Sequence, residues 1–348
     1  MGGREYEGIS CQKIVVERFG GTGVLRSVDV TVSAPLPGQA RLKVLAIGVG
    51  FTDLMARAGE YLLQRKVPFT PGYELVGEVV DYRGDGSGQD PDWLTPGRRV
   101  AVALPKMGAY TEYITLPDWL LVPLPDGLDP IIAAAVPLDY LTAMSLLEVH
   151  GRVSRGDTVL IQGAGGGVGQ ALCQLGRQHG LRMYGTASAV GSEDRLARYG
   201  VSFIDYRRQD FEAVIREREP DGVRAVFDHV GGANLRKGHR LLARGGVLVS
   251  YAFAGRPGRI LADTVRGAAH VTLMNACPGK RTALCMVPNE VKSDPYWYRA
   301  SLGRLLDMAH RGMVEPSVGA THPLGKAAEV HSALVRGEIT GKVVLTTP

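Results

Sequence analysis

Cysteine is scarce and unpaired in this sequence. Only Cys11, Cys173, Cys277 and Cys285 occur among 348 residues, and no two form a C-x-x-C pair. Neither a disulfide framework nor a zinc knuckle is indicated, and each cysteine reads as a small buried apolar residue or a free thiol. Long apolar runs are also missing, since nothing approaches the ~20 consecutive apolar residues of a membrane helix. The opening MGGREYEGISCQKIVVERFGG lacks the basic-then-apolar order of a signal peptide. No membrane partner is therefore expected, and a cytoplasmic location is. No run of five or six basic residues appears, and a net charge of +5 is a mild excess for this length, so no nucleic-acid partner is expected. The eight histidines fall into no H-x-x-x-H or H-E-x-x-H spacing, as a zinc-binding helix would require.

What remains is the composition of a globular chain, 45% hydrophobic and 22% charged, with length for one large domain or two ordinary ones. The first third has short strand-like runs at 14–16, 40–47, 75–81, 99–103 and 110–115, separated by glycine and proline. Residues 130–150 have helical apolar spacing. From Asp157 strands and helices alternate: strands at 158–162, 182–186, 202–205, 225–228 and 247–251, helices at 170–179, 193–199, 211–218 and 234–242. This alternation predicts an α/β chain with a doubly wound parallel sheet, which binds nucleotides at the carboxyl ends of its strands. Helices over 297–310 and 327–336 and a strand over 341–346 follow. The expected organisation is a β-rich part over 1–128, a nucleotide domain over 129–277, and a tail over 278–348 that returns to the first part.

The strand TVLIQ runs into Gly163-Ala164-Gly165-Gly166-Gly167-Val168-Gly169 and then a helix. A strict G-x-G-x-x-G is absent, but Ala164-x-Gly166-x-x-Gly169 fits with alanine first, and the strand–turn–helix setting gives the pattern meaning. Gly165, Gly166, Gly167 and Val168 would bring backbone N–H groups and a positive helix end to a pyrophosphate. About 20 residues on, an NAD-binding unit carries an acid for the ribose hydroxyls. This chain has Gly185-Thr186-Ala187-Ser188 there. No acid repels a 2′-phosphate, Ser188 can hydrogen-bond one, and Arg195, Arg198 and Arg207 are nearby candidates for pairing with it. NADPH is the expected cofactor. A plain surface role competes for each arginine.

The segments IGVGFTDLMARAGEY (47–61), PGYELVGEVV (71–80), GAYTEYITLP (108–117), YLTAMSLL (140–147), VLIQGAGGGVGQALCQLGRQHG (159–180), FIDYRRQDF (203–211), VFDHVGG (226–232), GGVLVSY (245–251) and TGKVVL (340–345) together resemble the quinone oxidoreductase branch of the medium-chain dehydrogenases/reductases. The resemblance runs from about residue 12 to the end, and YLTA leans toward the VAT-1-like branch. It implies a GroES-like catalytic domain, a Rossmann domain and a homodimer. It also implies site roles. Tyr61 matches a tyrosine that donates a proton in related enoyl reductases, with a half-buried aromatic as the competing role. Asp53 matches an aspartate near the catalytic centre, with backbone capping competing. Tyr140 and Thr142 match cofactor-side positions, Tyr206 a residue stacked near the adenosine phosphate, and Tyr251 and Lys342 further cofactor positions. Packing roles compete for these.

In zinc-dependent relatives a cysteine lies three residues before this aspartate and a histidine directly precedes the glutamate of PG-x-E. Here Gly50 and Tyr73 stand there, and the cysteine-rich structural zinc lobe is missing, so no catalytic zinc is expected. Without a Lewis acid, the expected chemistry is hydride delivery to a C=C conjugated with a carbonyl (an enone, quinone or enoyl thioester), with hydrogen-bond donors stabilising the enolate. Many relatives have asparagine at Gly50. That departure keeps open a cofactor-binding structural or interaction protein with little turnover, and an unusual redox enzyme of secondary metabolism is the other alternative. Segment 255–295 matches poorly and stays unread.

Overall fold

The computed structural model describes residues 7–88, 90–188, 192–256 and 258–348. The chain divides into two compact units: Met1–Leu138 with Pro288–Pro348, and Asp139–Val287.

The first unit opens with an antiparallel pair, β1 (Ile9–Val16) and β2 (Leu25–Val32). Then come β3 (Gln39–Val49), α1 (Phe51–Ala58), β4 (Glu74–Arg83), β5 (Arg99–Ala103), β6 (Tyr113–Pro117), β7 (Val122–Pro123) and α2 (Pro130–Ala134). The long strand β3 is the hub. It carries register shifts against β4 at Arg41/Leu42 and Val44/Ala46. Such bulges bend a strand and increase its twist, and here its two halves find different partners: Gln39–Lys43 pair with β6, while Ala46–Val49 pair with the end of the chain. Leu42, Val44, Leu75, Val100 and Val102 are fully buried along these strands.

α3 (Pro137–Met144) follows α2 and widens into a π-helical turn over Ser145–Gly151. The single helix expected over 130–150 is thus interrupted at its start. The ring of Pro137 disfavours helical backbone at the preceding residue, and α2 stops at Ala134. Next come β8 (Thr158–Gln162), α4 (Gly167–Gln178), β9 (Arg182–Ala187), α5 (Ser192–Ala197), β10 (Val201–Asp205), α6 (Phe211–Arg218), β11 (Val223–Asp228), α7 (Ala233–Arg240), β12 (Leu242–Ser250), α8 (Ile260–Met274) and β13 (Arg281–Leu284). The six strands form a parallel sheet in the order β10-β9-β8-β11-β12-β13. Leu160, Tyr184, Val226 and Leu248 stand at one register level and pack with Phe211, Ile215, Leu235 and Val271 from the helices. Strand order reverses between β8 and β11, the point at which such sheets take dinucleotides.

After α9 (Val287–Ser293), the tail adds α10 (Pro295–His310), β14 (Val318–Pro323), α11 (Ala327–Val335) and β15 (Lys342–Thr346). β15 pairs with β3 and β14 pairs with β15, so the tail completes the first unit's seven-stranded sheet. The unit boundaries fall at 138/139 and 287/288, about ten residues beyond the 128/129 and 277/278 expected from the sequence. α2 packs on β3 and β4, and β13 is a strand of the parallel sheet paired with β12.

Tyr298 on α10 fixes the tail in place. It is wholly buried; its hydroxyl donates to the Leu120 carbonyl at 2.7 Å and accepts from the Ala103 N–H at 3.0 Å. Tyr298→Phe leaves both backbone groups buried without that partner. It is expected to destabilise the protein by about 1–3 kcal/mol, read as a lower urea midpoint with unchanged slope.

Candidate functional site

In the second unit the site grows from the end of β8. Gly163 has φ +71, a left-handed conformation that glycine adopts without steric penalty. Its N–H donates to Thr186 Oγ1 at 3.1 Å, and Ala164 N–H to the Thr186 carbonyl at 2.9 Å, which ties the turn to β9. Gly166 N–H then donates to the Gly163 carbonyl at 3.1 Å, and α4 begins at Gly167. A side chain on Gly169 would collide with the Gly163 carbonyl and Ala164, so only glycine lets the helix lie this close to the strand. Gly166 and Gly167 are exposed. As the first residues of the helix, Gly167 and Val168 present N–H groups with no intrahelical acceptor.

On the β9 side, Ala187 and Ser188 occupy the place where an acid would meet a ribose. Tyr206, 52% exposed, donates its hydroxyl to Ser188 Oγ at 3.0 Å. The sequence placed these two residues in separate roles; the structure brings them together as a hydroxyl pair. Arg195 lies on α5, part-exposed, and makes no ion pair with another described residue. Residues 189–191 lie outside the described part.

On the other side of β8, Asp228 ends β11. Its carboxylate accepts N–H bonds from Gly231 at 3.0 Å and Val230 at 3.3 Å, and burial pushes its pKa up to about 7. His229, which the sequence did not single out, lies directly on the glycine turn, for a Cβ on Gly163 would collide with its imidazole. Its Nδ1 is 3.0 Å from the Gln162 carbonyl, and its ring stacks on Tyr251 at 5.6 Å between centroids. Tyr251 is thus placed at the same strand ends as the turn. Tyr140 and Thr142 are buried on α3. The preceding residue, Asp139, holds its carboxylate against the first turn of α4, where a Cβ on Gly167 would collide with it.

The first unit holds Asp53, Tyr61 and Lys342. Asp53 is fully buried on α1. Its Oδ2 accepts the Gly50 N–H at 2.8 Å and its Oδ1 the Gly72 N–H at 2.9 Å. Burial lifts its pKa to about 6. Tyr110 Oη stands 3.5 Å from Asp53 Oδ2 and 3.1 Å from His331 Nε2, two buried partners absent from the sequence reading. Tyr61 packs edge-on against Tyr73, with centroids 6.1 Å apart. The Tyr61 and Tyr73 hydroxyls are hydrogen-bonded to each other, and burial lifts Tyr61 to about 12. Lys342 forms a buried ion pair with Glu74, whose other oxygen accepts the Leu138 N–H at 2.7 Å. The cofactor position implied for Lys342 therefore coincides with a structural ion pair of the first unit. At the places where a zinc site would take a cysteine and a histidine stand Gly50, with no side chain, and Tyr73, 3% exposed with its hydroxyl hydrogen-bonded to Tyr61. These residues do not fit a catalytic zinc.

Residues 36–126 match the family model of an alcohol dehydrogenase GroES-like domain, and residues 200–345 that of a zinc-binding dehydrogenase. The chain is 32% identical over 342 residues to the synaptic vesicle membrane protein VAT-1 homolog of Mus musculus, covering 95% of this chain and 82% of that one. It is 30% identical over 336 residues to the quinone oxidoreductase of Rattus norvegicus, covering 95% and 96%. A mycobacterial protein solved in complex with NADPH shares 30% identity and superposes with a TM-score of 0.80 over 97% of this chain and 99% of that one.

The Asp139 carboxylate lies where a bound diphosphate would feel its charge. Asp139→Asn is expected to tighten dinucleotide binding about fivefold, roughly 1 kcal/mol. The gain should shrink as salt is raised. Fluorescence titration of the dinucleotide at two ionic strengths checks both.

Proposed function

The chain belongs to the quinone oxidoreductase branch of the medium-chain dehydrogenase/reductase superfamily, and on that premise we propose that it is an NADPH-dependent oxidoreductase that reduces a C=C conjugated with a carbonyl, without catalytic zinc. The carrying observation is the turn at 163–169. It combines a left-handed Gly163, a helix start brought onto the strand by Gly169, and a β9 end that offers Ser188 rather than an acid. Gly165, Gly167 and Val168 hold the diphosphate through backbone N–H groups and the helix dipole, and Gly166, whose own N–H goes to the Gly163 carbonyl, lets the backbone approach it. Ser188, Tyr206 and Arg195 face the 2′-phosphate as hydroxyl and guanidinium donors. Tyr140, Thr142 and Tyr251 take the other half of the cofactor. When bound, the dihydronicotinamide supplies a hydride to the electron-poor β-carbon of an enone, quinone or enoyl thioester.

Tyr61 is the proton donor in this reading. At neutral pH it is a phenol, since burial holds it protonated to about 12. The Tyr61 and Tyr73 hydroxyls are hydrogen-bonded to each other, and Tyr73 would donate to the Tyr61 oxygen once its proton has left. Asp53 acts through the backbone of residues 50 and 72 rather than as an acid–base group. Lys342, committed to Glu74, supports the same strand ends. In this reading the protein is a homodimer, as the family resemblance implies.

Oxidation of NADPH followed at 340 nm with a panel of enones, quinones and enoyl thioesters tests the function. At least one acceptor is expected to be turned over, faster with NADPH than NADH and unchanged after dialysis against a chelator. Retained NADPH binding with no turnover on any acceptor would instead indicate the binding-protein alternative. Tyr61→Phe is expected to lower kcat/KM about a hundredfold while the NADPH dissociation constant stays within twofold, measured on the same preparation.

A further inference from the structure

His229 lies at the carboxyl end of β11, on the far side of β8 from Ser188 and Tyr206. Four contacts fix its ring: Gly163 beneath it, where no side chain could stand; the Tyr251 ring, stacked at 28°; the Gln162 carbonyl, 3.0 Å from Nδ1; and the Tyr251 hydroxyl, 3.4 Å from the same nitrogen. The Gln162 carbonyl can only accept and is the nearer of the two groups at Nδ1, while the Tyr251 hydroxyl can accept as well as donate, so Nδ1 carries the proton. The ring is neutral, because burial lowers its affinity for a second one. Nε2 is therefore a lone-pair acceptor. No other described residue donates to it, and the ring is only part-buried. An oriented acceptor without a protein donor at the strand ends is open to one from a ligand.

Accepting that NADPH binds at the turn, the sheet order decides which part of it reaches His229. The diphosphate sits at the start of α4 and the 2′-phosphate side lies over β9, so the nicotinamide half extends over β11 and β12. The group bonded to the diphosphate on that side is the ribose, and the imidazole rests on the residue that begins the diphosphate turn. Phosphate oxygens offer no proton, whereas ribose hydroxyls do. We propose that His229 Nε2 accepts a hydrogen bond from a hydroxyl of the nicotinamide-side ribose, making His229 a cofactor-positioning residue of this chain.

The asparagine and glutamine variants separate the two ring nitrogens. Asparagine keeps a donor near the Nδ1 position and removes the Nε2 acceptor, whereas glutamine places a carbonyl near Nε2. Calorimetric titration uses two probes: NADPH, and adenosine 2′,5′-bisphosphate, which lacks the nicotinamide half. His229→Asn is expected to weaken NADPH five- to tenfold, the loss of one hydrogen bond, while the bisphosphate stays within twofold. His229→Gln is expected to bind NADPH within about threefold of wild type. NADPH affinity unchanged in His229→Asn overturns the assignment, and so does a parallel loss of both probes in the two variants, which would mark the ring as support for the turn alone. Wild-type protein that binds neither probe overturns the dinucleotide reading, and the His229 assignment with it.

Discussion

The close approach of α4 to the end of β8 is the constraint on which the nucleotide unit depends. Any side chain at Gly169 would meet the Gly163 carbonyl and Ala164, and Gly163 itself turns through a left-handed conformation. With both satisfied, the helix start opens at the carboxyl ends of the strands, and its first N–H groups are left without backbone acceptors. The hydrogen bonds from Gly163 and Ala164 to Thr186 tie this opening to β9, and the buried row Leu160, Tyr184, Val226 and Leu248 holds the strands beneath it. Position and polarity of the anion site thus come from packing, before any charged side chain is considered.

Charge is then rationed around that site. The acid that would reject a 2′-phosphate is absent at Ala187-Ser188. Asp228 is turned inward onto the N–H groups of Val230 and Gly231, so its carboxylate shapes the β11 turn instead of facing the ligand. Asp139 is the exception, a carboxylate lying against Gly167. At a helix start it favours the dipole, and a diphosphate there would meet its repulsion. Asp139 thus sets helix stability and anion affinity in opposition at one position.

The alternating part of the chain was legible because its strands are short, apolar and bounded by turn residues. Thr158–Gln162, Arg99–Ala103 and Phe211–Arg218 agree with the sequence reading at both ends. β2 and β14 escaped it. LRSVDVTV and VGATHP are half exposed along their length, so their polar and small residues gave no apolar run. Segment 255–295 hid α8 and β13, since Val265 and Leu273 are exposed and break the amphipathic pattern. Site residues fared according to reach. The glycine turn is contiguous and could be read directly. The Lys342–Glu74 pair joins residues far apart in sequence, and no local pattern encodes it. His229 falls into no metal-binding spacing, and its position just after a predicted strand end is the only sequence signal that marks it.

Asp53 illustrates how the first unit accepts an energetic cost for geometry. With its pKa lifted from 3.8 to about 6 by burial, keeping the carboxylate ionised at neutral pH costs on the order of 3 kcal/mol. The sign follows from linkage. A carboxyl raised in the folded state binds more protons there than when unfolded, so its contribution favours folding as pH falls from about 6 toward 4, and opposes it above. An asparagine would avoid that cost. Yet the Gly50 N–H reaches Oδ2 and the Gly72 N–H reaches Oδ1, and an amide would set its own NH2 against one of these donors. An ionised carboxylate accepts strongly on both sides, binding the start of α1 to the segment that leads into β4. Tyr61 and Tyr73 flank that segment, packed edge-on against each other.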